Sequence, residues 1–86
     1  MSAPMILLVD DDSRLREIVG MALEGEGYGV RTVGSAEEAV DVLERTEPDL
    51  LILDVMLPGR DGFELCREIR TSSPVPILML TAKTDT

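Results

Sequence analysis

A doubly wound α/β fold, with a parallel sheet between helical layers, is predicted for this 86-residue chain. Three observations carry the prediction. Two short apolar runs, Met5-Ile6-Leu7-Leu8-Val9 and Leu50-Leu51-Ile52-Leu53, empty into Asp10-Asp11-Asp12 and Asp54. The hydrophobic period switches along the chain between strand and helix spacing, in the order β-α-β-α-β-α-β. The strands are near-continuously apolar, as strands are when helices cover both faces of a sheet.

Each element has its own justification. After the first strand, Leu15, Ile18, Val19, Ala22 and Leu23 recur at helical spacing, with Arg14, Arg16, Glu17 and Glu24 opposite. Ser13 or Asp12 can cap this helix, and Gly25 and Gly27 mark its end. Tyr28 to Val33 reads as a short strand, less apolar than its neighbours and so placed at a sheet edge. Ser35-Ala36-Glu37-Glu38 is a capping box that opens a second helix on Ala36, Ala39, Val40 and Leu43, ending before Pro48. Leu50 to Leu53 is the third strand. Leu57-Pro58-Gly59-Arg60 fits a type II turn. A third helix runs from about Gly62 to about Thr71 on Phe63, Cys66 and Ile69, with Leu65 flanking. Pro74 and Pro76 frame a fourth strand, Ile77 to Leu80, which leads into Thr81-Ala82-Lys83. Right-handed crossovers leave few topologies for this order. A flavodoxin-like arrangement sets strands one, three and four side by side with strand two outside, and gathers Asp10, Asp11, Asp54 and Thr81 at one rim.

Composition narrows the function. The length allows one small domain. Net charge is −9 and Lys83 is the only lysine, which argues against binding nucleic acid or an anionic membrane surface. The single cysteine, Cys66, cannot close an internal disulfide, and the chain has no histidine to activate a thiol. No apolar run reaches the length of a membrane span and no signal-peptide pattern opens the chain, so a cytoplasmic protein is expected.

Clustered carboxylates at the end of buried strands repel one another, and a hard divalent cation relieves that repulsion. The residues at this rim suit phosphoryl transfer to a carboxylate. Asp54 can be the nucleophile, presented on a rigid strand end. Mg²⁺ can be held by Asp11 and Asp54 directly and by Asp10 through water, with the Met56 backbone carbonyl as a further ligand. The Thr81 hydroxyl and nearby backbone N–H groups, that of Ala82 among them, can hold phosphoryl oxygens. Taken singly, each has a plainer explanation: a strand-terminal Asp often caps a helix, as Asp12 is expected to do, and Lys83 alone is a solvated charge. The conjunction of three strand ends carries the inference.

The runs Ile6-Leu7-Leu8-Val9-Asp10-Asp11-Asp12, Leu51 to Gly62 and Pro76 to Lys83 together resemble a bacterial two-component response-regulator receiver domain, a CheY-like fold. The wording Leu15-Arg16-Glu17 and Met56-Leu57-Pro58-Gly59 before Asp61-Gly62 is most similar to the OmpR/PhoB subfamily. The resemblance implies that Asp54 accepts a phosphoryl group from a histidine kinase, and that Asp10, Asp11 and the Met56 carbonyl hold Mg²⁺. Thr81 would be the switch residue. The protein is then a signalling switch and not a turnover enzyme, acting in transcription regulation through a DNA-binding domain outside these residues.

The resemblance also implies an incomplete receiver. The family's fourth helix, fifth strand and fifth helix do not occur in residues 1–86, and Lys83 lies in the wrong motif to stand for the lysine that ends the family's fifth strand. Leu15, Ile18 or Val19 and the free edge of Ile77 to Leu80 are then expected to be exposed, which favours self-association. Two other functions stay open. A haloacid-dehalogenase-type phosphohydrolase would use Asp10-x-Asp12, although Arg14 stands where that family expects Thr or Val. A receiver-like interaction module would take no phosphate. Neither G-x-G-x-x-G nor a Walker A run occurs.

Overall fold

In the computed structural model, which describes residues 3–57 and 59–80, the chain runs β1 (Met5–Val9), α1 (Ser13–Gly25), β2 (Gly29–Val33), α2 (Ala36–Arg45), β3 (Leu50–Asp54), β4 (Met56–Leu57), β5 (Arg60–Asp61), α3 (Gly62–Arg70) and β6 (Ile77–Leu80). The four longer strands form one parallel sheet in the order β2-β1-β3-β6. This is the predicted topology, with the least apolar strand at an edge: Arg31 and Thr32 of β2 face solvent.

The period of two along each strand divides the core between the faces. Leu7, Val9, Leu51 and Leu53 pack against Ala36, Ala39 and Val42 of α2 and Leu65 and Ile69 of α3. Ile6, Leu8 and Ile52 pack on the opposite face, with Val19 and Leu23 of α1 against them. Each buried Leu, Ile or Val contributes about 1.5–3 kcal/mol relative to exposure. The α2–α3 layer therefore carries most of the apolar burial, and α1 covers its face thinly.

Helix termini follow local chemistry. Asp12 caps α1, its carboxylate accepting from the N–H groups of Arg14 (3.0 Å) and Leu15 (3.3 Å). Ser35 caps α2 through Glu38 N–H (3.2 Å). The return bond of the expected capping box is displaced by one residue, because the Glu38 carboxylate accepts from Gly34 N–H at 2.8 Å. Gly59 has φ 74°, as the third position of a type II turn requires, and Leu57 pairs with Arg60 in a short antiparallel ribbon, β4–β5. Pro58 lies outside the described residues.

The face that α3 buries differs from the expected one, whereas the exposure expected on α1 is found. In α3 the buried positions are Gly62, Leu65 and Ile69, spaced three and four apart, while Phe63 is 55% exposed and Cys66 half-buried. At the helix start, Gly62 is pressed against the backbone after β3. This close approach puts Gly62 on the buried face with Leu65 and Ile69 and leaves Phe63 outside it. In α1, Ile18 and Met21 are 62% and 66% exposed, and Leu15 and Ala22 also face solvent. The apolar stripe on α1 is wider than the part that the sheet covers.

Candidate metal and phosphoryl-acceptor site

Parallel pairing sets Val9 opposite Leu53, so the residues that follow, Asp10 and Asp54, leave the sheet side by side. Asp11 extends from the same turn. One carboxylate oxygen from each of Asp10, Asp11 and Asp54 lies within 4.8 Å of the others. Asp10 and Asp54 are buried and Asp11 is exposed. The cluster is therefore anchored on rigid strand ends and open to solvent on one side.

Backbone bonds hold this arrangement against its own repulsion. Asp10 N–H donates to the Val33 carbonyl of β2 (3.2 Å), and the Asp10 carboxylate accepts from Asp12 N–H (2.9 Å). The Asp10 carbonyl accepts from the Arg16 guanidinium. Burial pushes the Asp10 carboxyl above its ordinary value of 3.8; the Asp12 N–H opposes this, and the charges of Asp54, Asp11 and Asp12 add to it. The donor set is oxygen only, anionic and half-open to water, which fits Mg²⁺ and suits neither zinc nor a softer metal.

The backbone after Asp54 is clamped from both sides. Val55 N–H donates to the Leu80 carbonyl of β6 (2.9 Å), and the Val55 carbonyl accepts from Gly62 N–H (2.9 Å). A Cβ on Gly62 would stand 2.7 Å from Val55 Cα and 2.8 Å from the carbonyl oxygens of Asp54 and Val55. All three are backbone atoms and cannot swing aside. Gly62 thus positions the strand end that carries Asp54, a role beyond starting α3 that the sequence reading missed. Its signal was the Asp61-Gly62 pair at the head of an amphipathic helix.

Of the other residues expected at the site, Met56 opens β4 two positions beyond Asp54 and pairs with Asp61. Thr81, Ala82 and Lys83 lie outside the described residues; β6 leads toward them from beside β3, its Leu80 paired with Asp54. Asp12 spends its carboxylate on the α1 cap, as expected.

Residues 6–86 match the family model described as response regulator receiver domain. The chain belongs to the receiver family. It is 48% identical over 81 residues to the DNA-binding response regulator MtrA of Mycobacterium tuberculosis, covering 94% of this chain and 36% of that protein. The receiver thus spans about a third of the length of this curated relative. Among solved structures, chemotaxis response regulator CheY4 of Vibrio cholerae superposes with TM-score 0.90 at 34% identity, over 98% of this chain and 72% of that one. Response regulator TrrA of Thermotoga maritima, solved in complex with Mg(2+)-BeF, gives TM-score 0.87 at 38% identity, over 94% and 71%. With Asp12 committed to a cap, membership of this family replaces the haloacid-dehalogenase reading of Asp10-x-Asp12. Among the described residues no helix is long and apolar enough to cross a membrane.

Two predictions follow from the geometry of the receiver's site. Gly62→Ala lowers stability by about 2 kcal/mol in urea unfolding, because overpacking against backbone finds no flexible neighbour to yield. An unchanged midpoint would show that the clamp is loose. Asp10 adds a pH dependence to the metal-free fold. Its folded pKa is raised, so its contribution is fully present below the ordinary 3.8 and is lost as pH rises through the folded value. Asp10→Asn in EDTA is therefore expected to match the unaltered chain in acid and to be the more stable of the two at neutral pH, with Mg²⁺ narrowing or reversing the difference.

Proposed function

We propose that this receiver is a phosphorylation switch in which Asp54 accepts a phosphoryl group from a histidine kinase with Mg²⁺ bound by Asp10, Asp11 and Asp54. The observation that carries this reading is the meeting of three carboxylates from two adjacent strand ends, within 4.8 Å, in a chain of the receiver family. Asp54 is the only one of the three that lies within a strand, and its backbone is fixed on both sides, as a nucleophile's should be. A carboxylate oxygen of Asp54 attacks phosphorus; the new O–P bond forms as the P–N bond to the donor imidazole breaks, and the imidazole leaves with the electron pair. Mg²⁺ held by these carboxylates would supply charge neutralisation for the phosphoryl transfer. The Met56 carbonyl is assigned to the metal, and the Thr81 hydroxyl with the Ala82 N–H to the phosphoryl oxygens, from their places in the family motif.

The new charge-assisted hydrogen bonds would bias a two-state equilibrium of the segment after β6, which is how local phosphorylation becomes a signal. The DNA-binding relative MtrA supports an output in transcription regulation through a domain beyond this chain. Incubation with acetyl phosphate and Mg²⁺ is expected to add one phosphoryl group by mass spectrometry, mapped to Asp54, and Asp54→Asn abolishes it. Beryllofluoride binding without any labelling would favour a chain that senses the mimic but cannot complete transfer. Neither binding nor labelling would favour the phosphate-independent module.

Self-association is proposed on a separate observation. Ile18 and Met21 are exposed on α1, Leu78 is 50% exposed on β6, and the outer side of β6 pairs with no strand among the described residues. An open edge and an uncovered apolar face both favour a second copy. Sedimentation at micromolar concentration is expected to give a dimer or larger; a well-folded monomer would count against it.

A further inference from the structure

Arg16 lies on α1 and carries one of only eight positive charges in a chain with seventeen acids, yet among the described residues it takes part in no ion pair. Its guanidinium Nη1 instead donates to the backbone carbonyl of Asp10, at 2.5 Å, from six residues along the chain. With that bond, all three polar groups of Asp10 are tied: the N–H to Val33, the carboxylate to Asp12 N–H and the carbonyl to Arg16.

The guanidinium has a seat. A Cβ placed on Gly34 would lie 2.9 Å from Arg16 Nη1, 3.5 Å from Cζ and 3.7 Å from Nη2, so the planar head of Arg16 rests over the bare Cα. Gly34 does not have positive φ, so its backbone does not demand glycine. What the missing side chain leaves room for is Arg16. The seat is itself fixed, since Gly34 N–H is held by the Glu38 carboxylate at the start of α2.

We propose that Arg16 and Gly34 act as a coupled positioning pair for the metal pocket: the guanidinium, seated on Gly34, orients the Asp10–Asp11 backbone so that both carboxylates are set for a divalent cation. This rests on the pocket reading above. Groups that hold metal ligands in place commonly change affinity by about 10–100-fold when removed. Lysine in place of Arg16 keeps a donor for the Asp10 carbonyl but loses the planar fork.

The test is calorimetric titration of the full chain with Mg²⁺ alone, with the Asp11 and Asp12 amide resonances followed by NMR. Arg16→Met is expected to weaken Mg²⁺ binding about tenfold, and Arg16→Lys to recover most of the loss. Gly34→Ala should weaken binding too, because it displaces the far end of a flexible side chain without disturbing the core. The double variant Arg16→Met/Gly34→Ala should be no worse than Arg16→Met. Unchanged affinity in Arg16→Met, losses that simply add in the double variant, or equal weakening by lysine and methionine would each overturn the proposal. Absence of Mg²⁺ binding in the unaltered chain would instead overturn the pocket reading itself, and the pair's role with it.

Discussion

Mutual repulsion among Asp10, Asp11 and Asp54 is the constraint around which this small molecule is organised. Three carboxylates with oxygens within 4.8 Å of one another, two of them buried, are unfavourable without a cation. The fold tolerates them because the cost falls where the backbone is most constrained. Adjacent parallel strands deliver Asp10 and Asp54, and hydrogen bonds fix the chain on either side of each. The same constraint underlies the proposed cation site, since a cluster that is costly to leave unneutralised favours a bound cation.

The division of labour among neighbouring acids follows from it. Asp10, Asp11 and Asp12 are consecutive and chemically alike, but their surroundings separate them. Asp12 turns its carboxylate to the first amides of α1 and is satisfied locally. Asp10 is withdrawn from water, and its carboxyl is pushed up by that burial. Asp11 stays exposed and leaves the pocket open to solvent and to incoming ligand. Position relative to the strand end, not residue type, decides which acid caps and which acids cluster.

Much of this was legible in the sequence because strand-terminal acids and apolar runs are local signals. The strand order, the edge position of β2, the Asp12 cap and the convergence of Asp10, Asp11 and Asp54 could all be read from them. The rotation of α3 could not. Phe63, Cys66 and Ile69 form a helical stripe in the sequence, but the buried face holds Gly62, Leu65 and Ile69 and includes a close approach of Gly62 to the Val55 backbone that hydrophobicity does not encode. Likewise the return bond from Glu38 goes to Gly34 rather than to the cap residue, a shift of one position that depends on side-chain reach. Arg16 read as one charge on the polar side of a helix, and only the third dimension shows it bound to a carbonyl.

These two glycines mark opposite ways of building the same rim. At Gly62 the neighbours are main-chain atoms, so glycine lets two stretches of backbone touch and the strand end behind Asp54 becomes rigid. At Gly34 the neighbour is the tip of a long side chain, so glycine makes room for a movable group that steadies the Asp10 side. A side chain added at the first must distort the fold, whereas one added at the second need only dislodge an arginine. The Asp54 side of the pocket is thus fixed by packing, as the proposed role of nucleophile would require. The Asp10–Asp11 side is held by a hydrogen bond from the tip of a long side chain, and it is on this side that the proposed pair would set metal affinity.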